Sequence, residues 1–384
     1  MSASRPPEHA AGETDASETA LLTIDLDALA ANFRELVRLA ASAECAAVVK
    51  ADAYGLGKAH VAPALWDAGC KTFFVATLAE AIALRALLPA AIIYVFAGLS
   101  PGTAHLFRTH DLRPVLNSAD EIAEWSAFCA DAGAKLPCAV HLDSGMNRLG
   151  LGGADVDRVA GEGLWSALTV ALIMSHLACA DEPSHPKSES QRALFDRLRA
   201  RLPRAPASLA NSAGILLGGA YHYDLVRPGI ALYGGRPQRK GAHRFAPVVE
   251  LLGRILQVRD VAAGESVGYG ALRTLTRPSR VATVAVGYAD GIFRSLSTRD
   301  GEDGLVVHVD GLPAPVIGRV SMDLITIDVT DIPEAAARRG AWVELLGGRV
   351  AAHDMARHAG TIDYEVLTNL GRRAARRYRS GLSE

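Results

Sequence analysis

The 384-residue chain has no apolar run long enough to span a bilayer, no basic cluster interleaved with aromatics, and a net charge of only −2. The first absence excludes a helical membrane protein. The other two argue against nucleic acid or a membrane surface as the main partner. Cysteine is scarce: Cys45, Cys70, Cys129, Cys138 and Cys179 are odd in number, scattered, and never in a C-x-x-C pair. That pattern supports neither a disulfide framework nor a zinc site, and no metal is expected. The cysteines read as small core residues of a reducing, cytoplasmic compartment. Residues 1–19 lack the apolar core of a signal peptide and are expected to be a disordered leader. What is present, 49% hydrophobic residues over a long chain, is enough to bury a sizeable core. The expected partner is a small molecule.

From about Cys45 to Gly229, strand-like runs at 44–50, 71–77, 91–98, 112–117, 138–144, 168–177, 206–211 and 223–229 alternate with alanine- and leucine-rich stretches of helical spacing. Two such stretches are 78–88 and 118–133, the second with Ser118 as N-cap and Glu121 three residues on. Eight strand–helix units in a row predict an α/β fold of the (β/α)8 TIM barrel type, with a doubly wound open sheet as the structural rival. After about Pro247 the segments 249–259, 281–287, 305–309, 314–320, 324–329 and 342–346 are short, β-rich and separated by Gly, Pro and Asp. They predict a C-terminal all-β domain. The expected division is a leader (1–19), a barrel (20–246) and a β-rich domain (247–384). Residues 21–26 precede the first helix, 27–41, fit the barrel series poorly, and are candidates for pairing with the second domain instead.

Lys50 ends the run Ala46-Ala47-Val48-Val49 and opens Lys50-Ala51-Asp52-Ala53-Tyr54-Gly55. A buried parallel strand that delivers a lysine to its C-terminal end puts it where barrels keep their chemistry. Other polar residues end the later strands: the loop Asp143 to Arg148 follows the fifth, His176 the sixth, Asn211-Ser212 the seventh, and Arg227-Pro228-Gly229 the eighth. Each alone has an ordinary explanation, as a satisfied core histidine or a salt-bridged arginine. Their convergence on one rim has a functional one. Ser212 opening a short helix, with backbone N–H groups of Gly229 and Ile230 beside it, makes a phosphate seat of the kind barrels build after strands seven and eight. A lysine, a phosphate seat and an arginine between them point to a phosphorylated aldehyde held as a Schiff base, and pyridoxal 5′-phosphate fits.

Nine stretches in fixed order carry a more specific signal. They are Val49 to Gly55, Asp143 to Gly150, Ser175-His176, Asn211-Ser212, Val226 to Ile230, Val267 to Gly270, Gly287 to Gly291, Gly318 to Asp323, and Asp363 to Glu365. This set resembles the bacterial alanine racemases, fold-type III pyridoxal-phosphate enzymes, over essentially the whole chain after the leader. The resemblance implies interconversion of L- and D-alanine by two bases, supplying D-alanine for peptidoglycan, in a homodimer with shared active sites. It implies that Lys50 holds the cofactor and serves one face of the substrate, while Tyr269 of the partner subunit serves the other. Arg148 would contact the cofactor and the substrate carboxylate, with Met322, Tyr288 and Asp323 on the substrate side. Arg227 would face the pyridine nitrogen, backed by His176, and a cationic pair there would favour a tyrosine phenolate. Tyr54, Asn211, Ser212, Gly229, Ile230 and Tyr364 would complete the cofactor site, most of them at the phosphate.

Two positions depart from the family pattern. His141 stands where many members carry a lysine modified to a carbamate, and Leu56 stands where a histidine is common. The nearest rival, a decarboxylase of similar architecture, pairs the pyridine nitrogen with a carboxylate and brings a cysteine from its β domain. Here the matching residue is Arg227, and no cysteine follows Cys179. A non-catalytic cofactor carrier would have no use for a large second domain bearing Tyr269.

Overall fold

The computed structural model describes residues 17–241 and 244–381, so most of the expected leader lies outside the described residues. The chain divides into two compact units, Leu26–Ala246 and a second formed by the residues up to Asp25 together with those from Pro247 onward. The first described strand, β1 (Ala20–Asp25), belongs to the second unit.

The first unit is a parallel barrel. Its strands are β2 (Glu44–Cys45), β3 (Ala47–Val48), β4 (Thr72–Val75), β5 (Ile92–Val95), β6 (Arg113–Leu116), β7 (Pro137–His141), β8 (Thr169–Met174), β9 (Ala207–Ser208) and β10 (Leu225–Val226). Strands β3 to β9 form one continuous parallel sheet in chain order, and β10 pairs with β2. β2 and β3 are two halves of one strand, interrupted at Ala46. Amides of Ala46 and Val48 donate to the carbonyls of Val226 and Pro228 (both 3.0 Å), and Asp224 and Arg227 donate to Ala207 (3.0 Å) and Ala210 (2.9 Å). These bonds close eight strands into a ring. Both faces of the strands are covered, so they carry continuous apolar runs: in Thr72-Phe73-Phe74-Val75 every residue is buried. Burying one such phenylalanine contributes about 1.5–3 kcal/mol.

The helices between strands follow ordinary local rules. Helix Leu78–Leu87 starts at Thr77, whose side chain accepts from Glu80 N–H while the Glu80 carboxylate reaches back to Thr77 N–H. Helix Ala119–Asp131 starts at Ser118, which accepts from Glu121 N–H.

The second unit is built around β11 (Val249–Val261), with β12 (Ser266–Val267), β13 (Arg273–Thr274), β14 (Ser279–Val284), β15 (Val306–Val309), β16 (Leu312–Ile317), β17 (Ile325–Asp328), β18 (Trp342–Leu346) and β19 (Ala375–Arg379). One half of β11 pairs with β18 and the other, past an irregularity at Ile255–Gln257, with β14. The order β11-β14-β17-β16-β15-β18 therefore returns to β11 as a closed ring. β1 adds antiparallel to β11, and β19 adds parallel to β1. Two short helices, Ala352–Ala359 and Asp363–Thr368, also belong to this unit, which is therefore not purely β. Among the described residues no helix is long and apolar enough to cross a membrane.

Candidate active site

The barrel rim is assembled around Lys50. The first strand does not run through it: the ladder stops at Val48, and Lys50 opens a turn in which Ala51, Asp52, Ala53 and Tyr54 all have φ between 53° and 56°. The left-handed helical conformation costs an L-residue roughly 1–2 kcal/mol, and four in succession cost roughly 4–8 kcal/mol. Hydrogen bonds hold the turn in place. Gly55 N–H donates to Ala51 O (2.7 Å), Gly57 N–H to Asp52 O (2.9 Å), Lys58 N–H to Asp52 Oδ1 (2.9 Å) and Ala51 N–H to Glu80 Oε1 (2.7 Å). Lys50 is half-buried; burial and then the positive charge of Arg148 lower its pKa, while Glu80 opposes them. The neutral amine, the nucleophilic form, is thereby brought closer to neutral pH.

Arg148 sits in the loop after β7. Asp143 shapes that loop by accepting at Oδ1 from the amides of Gly145 (2.8 Å), Met146 (2.9 Å) and Asn147 (3.1 Å). Beneath it, His141 Nδ1 lies 2.8 Å from Asn117 Oδ1, and the Asn117 amide nitrogen donates to the carbonyls of Phe96 (3.0 Å) and Val115 (2.8 Å). With that nitrogen committed, Asn117 Oδ1 accepts and His141 Nδ1 carries the proton. Burial, then Arg227 and Arg148, lower the pKa of His141 to about 4, so it is neutral at neutral pH.

Arg227 is 2% exposed and fully engaged at its two terminal nitrogens. Nη1 donates to Ser208 Oγ, and Nη2 to Ser175 O (2.5 Å) and Leu209 O (3.5 Å). Its Nε is buried and has no hydrogen-bond partner among the described residues. A donor so placed calls for an acceptor that the protein does not itself supply. Asn211 stands nearby: its Oδ1 accepts from Gly214 N–H (2.9 Å), so its amide nitrogen faces His176 Nε2 (3.4 Å) as donor. His176 is accordingly neutral, its pKa held well below the usual value by burial and then by Arg227 and Arg148. The expectation of a cationic His176 is corrected on this point.

The Lys50 turn and the loops that follow Asn211 and Arg227 bring together Tyr54, Ser212, Gly229 and Ile230 as a seat. Ser212 opens the helix Ser212–Ile215, and its Oγ accepts from the amides of Gly229 (2.8 Å) and Ala231 (3.3 Å). Gly229 approaches Tyr54 so closely that a Cβ would overlap the tyrosine hydroxyl. Tyr54 packs on Tyr233, ring centroids 4.6 Å apart, and the Tyr233 hydroxyl donates to Val48 O (2.9 Å). An unpartnered buried N–H, a half-buried lysine of lowered pKa and a seat with a hydroxyl and backbone amides fit a pyridine nitrogen, an aldehyde and a phosphate.

The remaining expected residues belong to the second unit. Tyr269 opens a short turn between β12 and β13 and is 71% exposed. Met322 and Tyr288 share one loop pair, in which Tyr288 N–H donates to Ser321 O (3.0 Å) and Ala289 N–H to Met322 O (3.1 Å). A Cβ on Gly287 would overlap both of those carbonyls, so only glycine allows the approach. Arg373 joins Asp323 (2.5 Å) to the buried Asp290 (2.5 Å). Tyr364 lies on helix Asp363–Thr368, at the edge of exposure. Glu80, Asn117, Ser175 and Ser208 were not among the expected site residues. Glu80 carries a sequence signal as the fourth residue of Thr77-x-x-Glu80, and Ser175 as part of the Ser175-His176 stretch; Asn117 and Ser208 carry none.

The family model described as "Alanine racemase, N-terminal domain" matches residues 24–237, and the one described as "Alanine racemase, C-terminal domain" matches 248–378. The chain is 51% identical to an alanine racemase of Methylobacterium nodulans, over 96% of this chain and 98% of that protein. With one of Rhodospirillum rubrum it shares 50% identity, over 94% and 96%. A crystal structure of the Bartonella henselae alanine racemase with covalently bound pyridoxal phosphate superposes with a TM-score of 0.89 at 40% identity, covering 94% of this chain and 99% of that one. The biosynthetic alanine racemase of Pseudomonas aeruginosa gives 0.86 at 38% identity, covering 94% and 100%. Two family models in tandem, near-complete coverage in both directions and the geometry of the rim lead to one conclusion: the chain belongs to the alanine racemase family.

Proposed function

We propose that this protein interconverts L- and D-alanine with pyridoxal 5′-phosphate, and that it does so with one base on each face of the substrate carbon. The observation that carries the reading is the buried Nε of Arg227, which has no hydrogen-bond partner among the described residues, on the strand next to the one that ends at Lys50. The cofactor, when bound, supplies an electron sink that acidifies the Cα–H of the amino acid. Arg227 would donate to the pyridine nitrogen and, because a guanidinium does not yield its proton, would not protonate it. The hydroxyls of Ser212, Tyr54 and Tyr364 and the amide of Ile230 would hold the phosphate, with Gly229, whose amide donates to Ser212 Oγ, lining the seat. Arg148 binds the substrate carboxylate, with Met322, Tyr288 and Asp323 limiting side-chain size.

Lys50 takes or returns the proton at one face of Cα, and Tyr269 does so at the other. Two bases are needed because a single one tends to return the proton to the side it left. Tyr269 is highly exposed within its own chain, which supports its serving the barrel of a second subunit in a two-fold dimer. The cellular role that fits is cytoplasmic supply of D-alanine for peptidoglycan.

Polarimetry tests the reading: L-alanine incubated with the purified protein and pyridoxal phosphate should lose its rotation as D-alanine accumulates. Unchanged rotation with cofactor bound in stoichiometric amount would refute it.

A further inference from the structure

We propose that Glu80 is a positioning residue for Lys50, strapping the left-handed turn that presents the amine to the loop at the end of the neighbouring strand. The proposal rests on the pyridoxal-phosphate reading of the site. By sequence, Glu80 is an ordinary capping residue, three positions after Thr77 and bonded to it in both directions. A cap of this kind needs only one carboxylate oxygen. Here Oε2 does the capping, accepting from Thr77 N–H (3.2 Å) and also from Ala76 N–H (2.8 Å). Oε1 is left for another task and accepts from Ala51 N–H at 2.7 Å, the residue directly after Lys50.

The strap acts where the backbone most needs it. Ala51 is the first of the four left-handed residues, and its amide is the one next to the reacting side chain. The amides of Ala53, Gly55 and Gly57 donate locally, to the carbonyls of Val49, Ala51 and Asp52, and Lys58 N–H donates to Asp52 Oδ1. Glu80 ties the Ala51 amide to a different strand unit, and Lys58 Nζ strengthens the same junction by donating to Glu80 O (3.0 Å). The carboxylate also lies close enough for its charge to act on the Lys50 amine. A carboxylate is required because both oxygens accept; an amide retains one acceptor and must give up one of the two ties. Without the strap, the first left-handed residue is free to relax toward φ < 0, and the lysine tip moves with it.

The test compares wild type with Glu80→Gln, Glu80→Ala and Thr77→Ala, each prepared as holoenzyme and, after cofactor removal, as apoprotein. Three quantities are read: kcat and KM for alanine, the rate at which the apoprotein regains yellow absorbance on adding pyridoxal phosphate, and the thermal midpoint. Borohydride reduction with peptide mapping is run on wild type first. A label on Lys50 upholds the cofactor reading, and a label elsewhere overturns that reading and this proposal with it. With the label on Lys50, the expected result for Glu80→Ala is a kcat lower by roughly tenfold to a hundredfold, as for an ångström-scale misplacement of a reacting group, with KM changed far less. Cofactor uptake should slow in parallel, and Glu80→Gln should fall between Glu80→Ala and wild type. Thr77→Ala, which loses the cap but keeps the strap, should lower the thermal midpoint while leaving kcat and uptake close to wild type. If Glu80→Ala matches Thr77→Ala in all three quantities, Glu80 is a helix cap only and the proposal fails.

Discussion

Gly229→Ala is the sharpest single test of the phosphate seat. A methyl group at this position overlaps the Tyr54 hydroxyl and lies 2.9 Å from its Cζ, where real contacts of this kind are essentially never under 3.0 Å. Tyr54 cannot swing aside at little cost, because it is 5% exposed, packed against Tyr233 with the rings tilted by 31°, and anchored in the left-handed turn. Overpacking of this sort costs about 1–3 kcal/mol. If the tyrosine tip yields, its hydroxyl leaves the seat, and cofactor affinity should fall by about tenfold to a hundredfold. Titration of the apoprotein with pyridoxal phosphate, followed by absorbance, measures the loss, and thermal melts of apoprotein measure the strain. Adding Tyr54→Phe removes the overlapping oxygen but leaves the Cζ contact, so the double variant should regain part of the melting temperature and none of the affinity. Wild-type affinity in Gly229→Ala would show that the phosphate is held elsewhere.

Three further outcomes are expected. His141 has its pKa lowered to about 4 from an ordinary value of 6.5, so the unfolded chain binds a proton in that window that the folded chain refuses. Stability should therefore fall as pH drops from about 6.5 to about 4, by at most about 3 kcal/mol, and His141→Gln should flatten that slope in pH-dependent melts. Because an imidazole cannot form the lysine carbamate, activity should be indifferent to dissolved carbon dioxide; a loss on decarbonation that bicarbonate reverses would contradict this. Finally, Lys50→Ala and Tyr269→Phe should each be nearly inactive, yet equal amounts allowed to exchange subunits should recover about a quarter of wild-type activity, since about half the dimers are mixed and each holds one intact site. No recovery after verified exchange would place both residues in the same chain's site, or remove Tyr269 from it.

The barrel was readable because buried parallel strands leave unbroken apolar runs: each of the eight strand-like runs overlaps a strand in the structure. The end of the first was not. Ala51-Asp52-Ala53-Tyr54 contains no glycine, so nothing in its composition announces a left-handed turn, and periodicity carried the strand two residues too far. β19, Ala-Arg-Arg-Tyr-Arg, escaped notice because it is half-exposed and charged, and its partner β1 lies at the other end of the chain. Lys50, Ser212 and Arg227 were visible as polar residues at strand ends. The neutrality of His176 was not, because it depends on how deeply the ring is buried and on two arginines brought near it only by folding. Likewise, Thr77-x-x-Glu80 reads as a cap, and its second bond crosses to another strand unit.

The sheet of the second unit is sewn from both ends of the polypeptide: Asp25 and Arg379 form an ion pair 354 positions apart, and β1 lies between β11 and β19. Time enters here. As the chain leaves the ribosome, β1 emerges before the barrel segment and its neighbours β11 and β19 only after it. Pairings so distant in sequence are slow to form, and until they do the apolar strand Ala20–Asp25 waits as an open edge able to capture strands of other chains. The barrel can close while that edge is still unpaired, and the second sheet is completed only once β19 has emerged. Loss of the final ten residues would leave β1 with one neighbour instead of two, so truncation at the C-terminus should reveal itself as aggregation at the N-terminus.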